Sequence, residues 1–260
     1  MAPDSTLVLF YSGEPLPARF HKNCTPGTGE LSGYAEPQHR GEFEPPGPPG
    51  YEKIGCVLSI ATSTSWDRPF DARPNVTSFT PLGAEKLFCH TNPSAWIFPN
   101  GSSLLYFRSA SSKGASEQIW LATAPHYLGP YTLRGGDSAS PLFPIINYED
   151  PFVFRNSRGH FVMLLHRQGG GAIQPHGQFG AKAFSRDGLE WQWTNESMAG
   201  DVWNGSMVYT DGSVVTFAAR EEPKLYVEGG QMKALFNVVL QMPGFTSYVM
   251  SQAIETSAGL

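Results

Sequence analysis

The chain has 260 residues, 18 basic against 23 acidic side chains for a formal net charge of −5, and 13% aromatics. That length builds one sizeable core. The acidic balance and the lack of a basic cluster argue against nucleic acid and anionic membrane as partners, and no apolar run of about 18 residues exists to span a bilayer.

With 28 Gly and 22 Pro, the composition favours short strands joined by turns. No amphipathic helix longer than about two turns can be traced. The first strand signal is "LVLFYSG" (Leu7 to Gly13). A long connection follows at about residues 14–54, and includes "GEFEPPGPPGYEK". It is too rich in Pro and Gly for a regular element and is expected to be a solvated loop rather than a flap. Next come "IATSTSWDRPF" (Ile60 to Phe70) and a hairpin, "NPSAWIFPNGSSLLYFR" (Asn92 to Arg108), turning at Asn100-Gly101. "LATAPHYLGPY" (Leu121 to Tyr131) precedes a second hairpin, "DPFVFRNSRGHFVMLLHR" (Asp150 to Arg167), turning near Gly159. Then follow "KAFSRDGLEWQ" (Lys182 to Gln192) and hairpins turning at Asp211-Gly212 and Gly229-Gly230.

Three of these segments repeat. Ala61, Ala122 and Ala183 are spaced 61 residues apart, and Pro69, Pro130 or Trp191 follows each by eight. Pro93 and Pro151 open the matching hairpins. Each unit reads as two strands, a connection and two more strands. Four antiparallel strands in about 60 residues form a β-propeller blade; a β-sandwich is the competing arrangement. The expected fold is all-β: a single propeller domain over residues 1–260, with four-stranded antiparallel blades. Five such units exceed the chain length, and "LVLFYSG" reads as the second strand of a first blade. An N-terminal truncation or alternative start is therefore expected.

Cys24, Cys56 and Cys89 form one disulfide at most. The start "MAPDSTLVLFYSG" lacks the basic and apolar regions of a secretion signal. Five Asn-x-Ser/Thr sequences, at Asn23, Asn75, Asn100, Asn195 and Asn204, nevertheless point to the secretory pathway or the extracellular space.

In a propeller, residues at equivalent entrances of the innermost strands converge on one channel. Asn92-Pro93 and Asp150-Pro151 are such entrances, so Glu149, Asp150, Asn92 and His90 are expected to meet. Structural turn acids are the plainer reading of Glu149 and Asp150. Trp96 is read as inter-blade core or as a stacking face for a sugar. Arg220 is read as a ligand of sugar hydroxyls or as a local ion-pair partner. The histidines show no metal-ligand spacing. "RQGGGAIQPHGQFGA" (Arg167 to Ala181) opens no helix and is not a phosphate loop.

Between about residues 55 and 225 the chain resembles five-bladed glycosidases of the glycoside hydrolase family 43 type and the related invertase clan. The resemblance rests on "HTNPSAWIF", "ATAPHYLGPY", "YEDPFVF" and "FSRDGLEWQW". It implies a five-bladed propeller that hydrolyses glycosides of arabinose, xylose or related sugars with inversion, using two carboxylates. It places the general acid two residues before proline, at Glu149 in "YEDPFVF", with Asp150 beside it. "AAREEPKLY" repeats that pattern at Glu221. Two departures stand out: Asn92 replaces the aspartate expected at the position that tunes the acid, and the Asp-Pro base would lie upstream of Met1. A non-catalytic carbohydrate-binding propeller is the alternative. No cofactor is implied; the resemblance leaves room for a structural calcium, for which the sequence shows no ligand cluster.

Overall fold

The computed structural model describes residues 2–13, 57–70, 79–112, 115–143, 148–167, 179–193, 202–228, 231–241 and 246–254. The expected long connection at 14–54 lies outside these. Within them the chain is β throughout, with one 3-10 turn at Gly136–Ser138 and no α-helix. None of the described elements is a helix long and apolar enough to cross a membrane.

β1 (Leu7–Ser12) pairs antiparallel with β2 (Leu58–Ser63), as the second and third strands of a blade would. β3 (Phe88–Ile97), β4 (Ser103–Ala110), β5 (Glu117–Ala124) and β6 (Thr132–Leu133) form a four-stranded sheet in that order. β7 (Tyr148–Arg155), β8 (Phe161–Arg167), β9 (Phe179–Ser185) and β10 (Trp191–Trp193) form a second four-stranded sheet. The short hairpin β11 (Ser206–Val208) and β12 (Val214–Thr216) stands apart, and β13 (Ala219–Glu228), β14 (Gln231–Gln241) and β15 (Thr246–Ala253) complete a three-stranded sheet. All these pairings are antiparallel.

The sheets stack face to face in chain order, and β4 shows why. Its side chains alternate between two faces, and both faces are buried. Leu105 and Phe107 pack with Leu58, Ile60, Trp120 and Tyr131. Leu104 and Tyr106 pack with Ile119 of the same sheet and with Val153, Phe161 and Met163 of the next. β8 repeats the device: Met163 and Leu165 face back, while Leu164 meets Trp203 and Leu235 on the far side. Two buried faces explain why "SLLYF" and "FVMLL" are continuous apolar runs rather than alternating ones.

The turns follow their sequence chemistry. Gly101 takes φ +87° at the tip of the β3–β4 hairpin, where its N–H bonds to the Phe98 carbonyl at 2.9 Å. In "SRDGLEW", the Ser185 hydroxyl accepts the Gly188 N–H at 2.8 Å, and Asp187 Oδ1 accepts those of Leu189 and Glu190 at 2.8 and 3.0 Å. Those amides hold the Asp187 carboxyl below its ordinary range. The turn then presses on the neighbouring sheet, where Tyr106 Oη donates to the Gly188 carbonyl at 2.7 Å.

Candidate active site

Three strands break their ladders at the same place. The β3–β4 register shifts between Thr91 and Ser94, the β7–β8 register between Glu149 and Phe152, and the β13–β14 register between Glu221 and Lys224. Each gap holds an X-Pro pair: Asn92-Pro93, Asp150-Pro151 and Glu222-Pro223. Proline has no N–H to give the ladder, so the strand bulges there. The residue before it is left in the left-handed region, at φ +51° for Asn92, +56° for Asp150 and +50° for Glu222. Such backbone costs on the order of 1–3 kcal/mol per residue and clusters at functional sites.

The three bulged residues converge. Asn92 Nδ2 donates to Asp150 Oδ1 and, at 2.7 Å, to Glu222 Oε1. The Glu222 backbone N–H donates to Asp150 Oδ2 at 3.0 Å, and the Asn92 N–H donates to Ser12 Oγ at 2.8 Å. Lys224 Nζ lies 3.2 Å from Glu222 Oε2. Burial, and then the charge of Asp150, pushes the Glu222 carboxyl above its ordinary value; Lys224 opposes this and Glu149 adds to it.

A second layer lies behind Asp150. Glu149 is 6% exposed and His166 1%. His166 Nδ1 is 3.2 Å from Glu149 Oε1 and 3.6 Å from Asp150 Oδ2. Burial alone would discharge this imidazole. Hydrogen bonds to Asp150 and Glu149, with the charges of both acids, outweigh burial and push its pKa up to about 9. Arg108 Nη1 holds Glu149 Oε2, and Arg108 Nη2 holds Glu117 Oε1. Glu149 therefore sits between two cations.

Glu149, Asp150 and His166 bring three potential ligand atoms within 4.8 Å of one another. His166 Nδ1 faces both acids, and Arg108 and Asn92 contact further carboxylate oxygens. In this structure the cluster is an ion-pair network.

Of the residues singled out from sequence, Asn92, Asp150 and Glu149 come together here. His90 lies in the core, its Nδ1 3.1 Å from Ser109 Oγ and its ring edge-on to Phe107; burial, against the field of Glu85, lowers its pKa to about 4. Trp96 stands edge-on to Phe161 at 5.5 Å between two sheets, with Arg155 6.0 Å over its ring. Arg220 is 2% exposed and donates to Asn237 at 3.0 Å and Gln252 at 2.8 Å; burial lowers its pKa to about 10. Glu221 keeps its place in the ladder opposite Val238, and its carbonyl accepts the Asn237 amide at 3.1 Å. The bulge falls on Glu222. The offset shared by Asn92 and Asp150, directly before proline, is the sequence signal that marks Glu222. His166 and Arg108 carry no such signal.

No family model matches the chain, and no curated protein does. Solved structures match in fold. An endo-arabinase from Bacteroides thetaiotaomicron is 10% identical over 76% of this chain and 66% of its own, with a TM-score of 0.53. A glycoside hydrolase family 43 arabinoxylan arabinofuranohydrolase from Bacillus subtilis, solved with cellotetraose, is 14% identical over 99% of this chain and 49% of its own, with a TM-score of 0.54. An endo-1,5-alpha-L-arabinanase from Thermotoga petrophila is 12% identical over 78% of this chain and 50% of its own, with a TM-score of 0.52. The chain thus spans between about half and two thirds of the length of these neighbours. Its fold is of the glycoside hydrolase family 43 type.

Proposed function

We propose, from the premise of this family 43-like fold, that the chain is a glycoside hydrolase. It acts on arabinose- or xylose-containing oligo- or polysaccharides, and its stacked sheets are blades of a five-bladed propeller. One observation carries the reading. Asn92, Asp150 and Glu222 stand at equivalent bulges of three sheets, and their side chains form one hydrogen-bonded cluster in which the half-buried Glu222 carboxyl is raised above its ordinary value.

In this proposal Glu222 is the general acid that protonates the leaving oxygen, and Asp150 is the anion that keeps it protonated. Asp150 is suited to that part because the Asn92 amide and the Glu222 N–H both donate to it. Glu149, the acid expected from the sequence resemblance, is flanked by Arg108 and a protonated His166. Two cations favour a carboxylate over a proton donor, so its part here is to hold His166 and Asp150 in place. Hydrolysis with inversion needs a second carboxylate opposite the acid. A carbohydrate-binding protein without catalysis is the second reading. It is favoured by the protein partners already engaging Glu149 and Asp150, which leave neither well placed to activate water.

A panel of aryl pentosides and a set of arabino- and xylo-oligosaccharides test the proposal on wild type, Glu222→Gln and Glu149→Gln. Hydrolysis abolished by Glu222→Gln supports it. Hydrolysis that survives Glu222→Gln but not Glu149→Gln returns the acid to Glu149. Sugar binding without turnover supports the second reading.

We also propose that the chain passes through an oxidising secretory compartment. Five glycosylation sequences and a disulfide at Cys89, whose partner lies outside the described residues, support this.

A further inference from the structure

Two of the Asn-x-Ser/Thr sequences lie among the described residues, and neither asparagine belongs to the acid cluster. Asn100-Gly101-Ser102 forms the tip of the β3–β4 hairpin, and Asn204-Gly205-Ser206 leads into β11; both asparagines are exposed. Asn100 Oδ1 accepts the Ser102 N–H at 3.1 Å and the Ser102 hydroxyl at 2.7 Å. Asn204 Oδ1 accepts the Ser206 N–H at 2.8 Å, and the Ser206 hydroxyl pairs with Thr216 at 2.9 Å. In both cases the turn occupies the amide oxygen. Nδ2, the nitrogen that chemistry would use, makes no hydrogen bond among the described residues. A Cβ built on Gly101 would approach only His126 Cδ2, at 3.6 Å. Past Asn204, the β11–β12 hairpin exposes Val208 at 70% and Val214 at 62%, apolar surface that a neighbouring glycan would help to keep from association.

We propose that Asn100 and Asn204 are sites of N-linked glycosylation. The donor is an oligosaccharide carried on a polyisoprenyl diphosphate. Nδ2 forms a bond to C1 of the first sugar, the C1–O bond to the diphosphate breaks, the polyisoprenyl diphosphate leaves, and Nδ2 loses one proton. The hydroxyl two residues on, Ser102 or Ser206, is the feature the transferase reads. Asn100 lies in the turn beyond the far end of β3 from Asn92, with about 16 Å of strand between Asn92 and Ile97 at about 3.3 Å per residue. A glycan there leaves the acid cluster open.

The inference rests on the secretory proposal, and the test separates the two. The full chain is expressed behind a cleavable secretion signal in cultured eukaryotic cells, and protein from cells and medium is pooled. Release of glycans with peptide N-glycosidase in ¹⁸O-water converts each occupied asparagine into labelled aspartate, which mass spectrometry locates. Label is expected at Asn100 and Asn204. Ser102→Ala should remove the first and Ser206→Ala the second, each leaving the other in place. An unlabelled asparagine overturns that site, even in protein retained inside the cell. Because the signal is supplied, such a result counts against the sites themselves. Failure of the secretory proposal would instead show as a cytosolic chain in its own source cells.

Discussion

His166 ties the stability of the fold to pH in a direction the structure determines. Its pKa is about 9 in the folded chain against an ordinary 6.5, because Asp150 and Glu149 hold the imidazolium more strongly than burial expels it. A base with a raised folded pKa stabilises fully below its unfolded pKa, and that contribution disappears as pH rises through the folded one. The window therefore runs from about pH 6.5 to 9. The gap corresponds to about 3 kcal/mol, lost at about 1 kcal/mol per pH unit near pH 8. Few other shifted groups interfere there. His90, lowered to about 4, changes charge below this window, and Arg220, lowered to about 10, above it. Urea unfolding at intervals from pH 6.5 to 9.5 measures the fall. His166→Gln keeps a polar group at the site but cannot titrate, so its curve should be flatter by the same amount. Equal slopes in wild type and variant would refute the assignment of His166 as the buried cation of this network.

Lys224 lowers the Glu222 pKa, so Lys224→Met should move the alkaline limb of kcat/KM to higher pH; Asp150→Asn, removing a charge that raises it, should move the limb to lower pH and reduce the rate. Unmoved limbs in both would take the proton donor away from Glu222. Asn92→Asp replaces the amide that donates to Asp150 and Glu222 with a third carboxylate. It should cost about 2–4 kcal/mol near neutrality by chemical denaturation, with part recovered on acidification. Gly188→Ala places a Cβ 2.6 Å from Leu104 Cδ1 at φ +81°, and should lower stability by about 1–3 kcal/mol; a loss under 0.5 kcal/mol would show that the two sheets do not meet there as described.

Local chemistry made much of this protein legible before any coordinates. Continuous apolar runs such as "SLLYF" meant strands buried on both faces, and Asn100-Gly101, Asp211-Gly212 and Gly229-Gly230 separated paired strands. The 61-residue spacing announced repeated sheets, and prolines at positions 93 and 151 marked two entrances to the site. Each of these signals acts over a few residues, through φ restriction, side-chain alternation or a missing N–H, and so survives in one dimension. Which residues face one another does not. Glu221 and Glu222 are chemically alike, and only the register shift opposite β14 puts the left-handed backbone on Glu222. His166 and Arg108 sit in ordinary-looking strands; the β7–β8 pairing sets His166 beside Glu149, the β4–β5 pairing sets Arg108 near Glu117, and the stacking of the two sheets brings Arg108 to Glu149. His90 and Arg220, polar in the sequence, became buried side chains with hydrogen-bond partners on other strands of their own sheets. Sequence alone determined where the strands break and turn. Tertiary stacking decided which broken strands share a hydrogen-bonded cluster, because burial and charge are sums over neighbours that only the fold assembles.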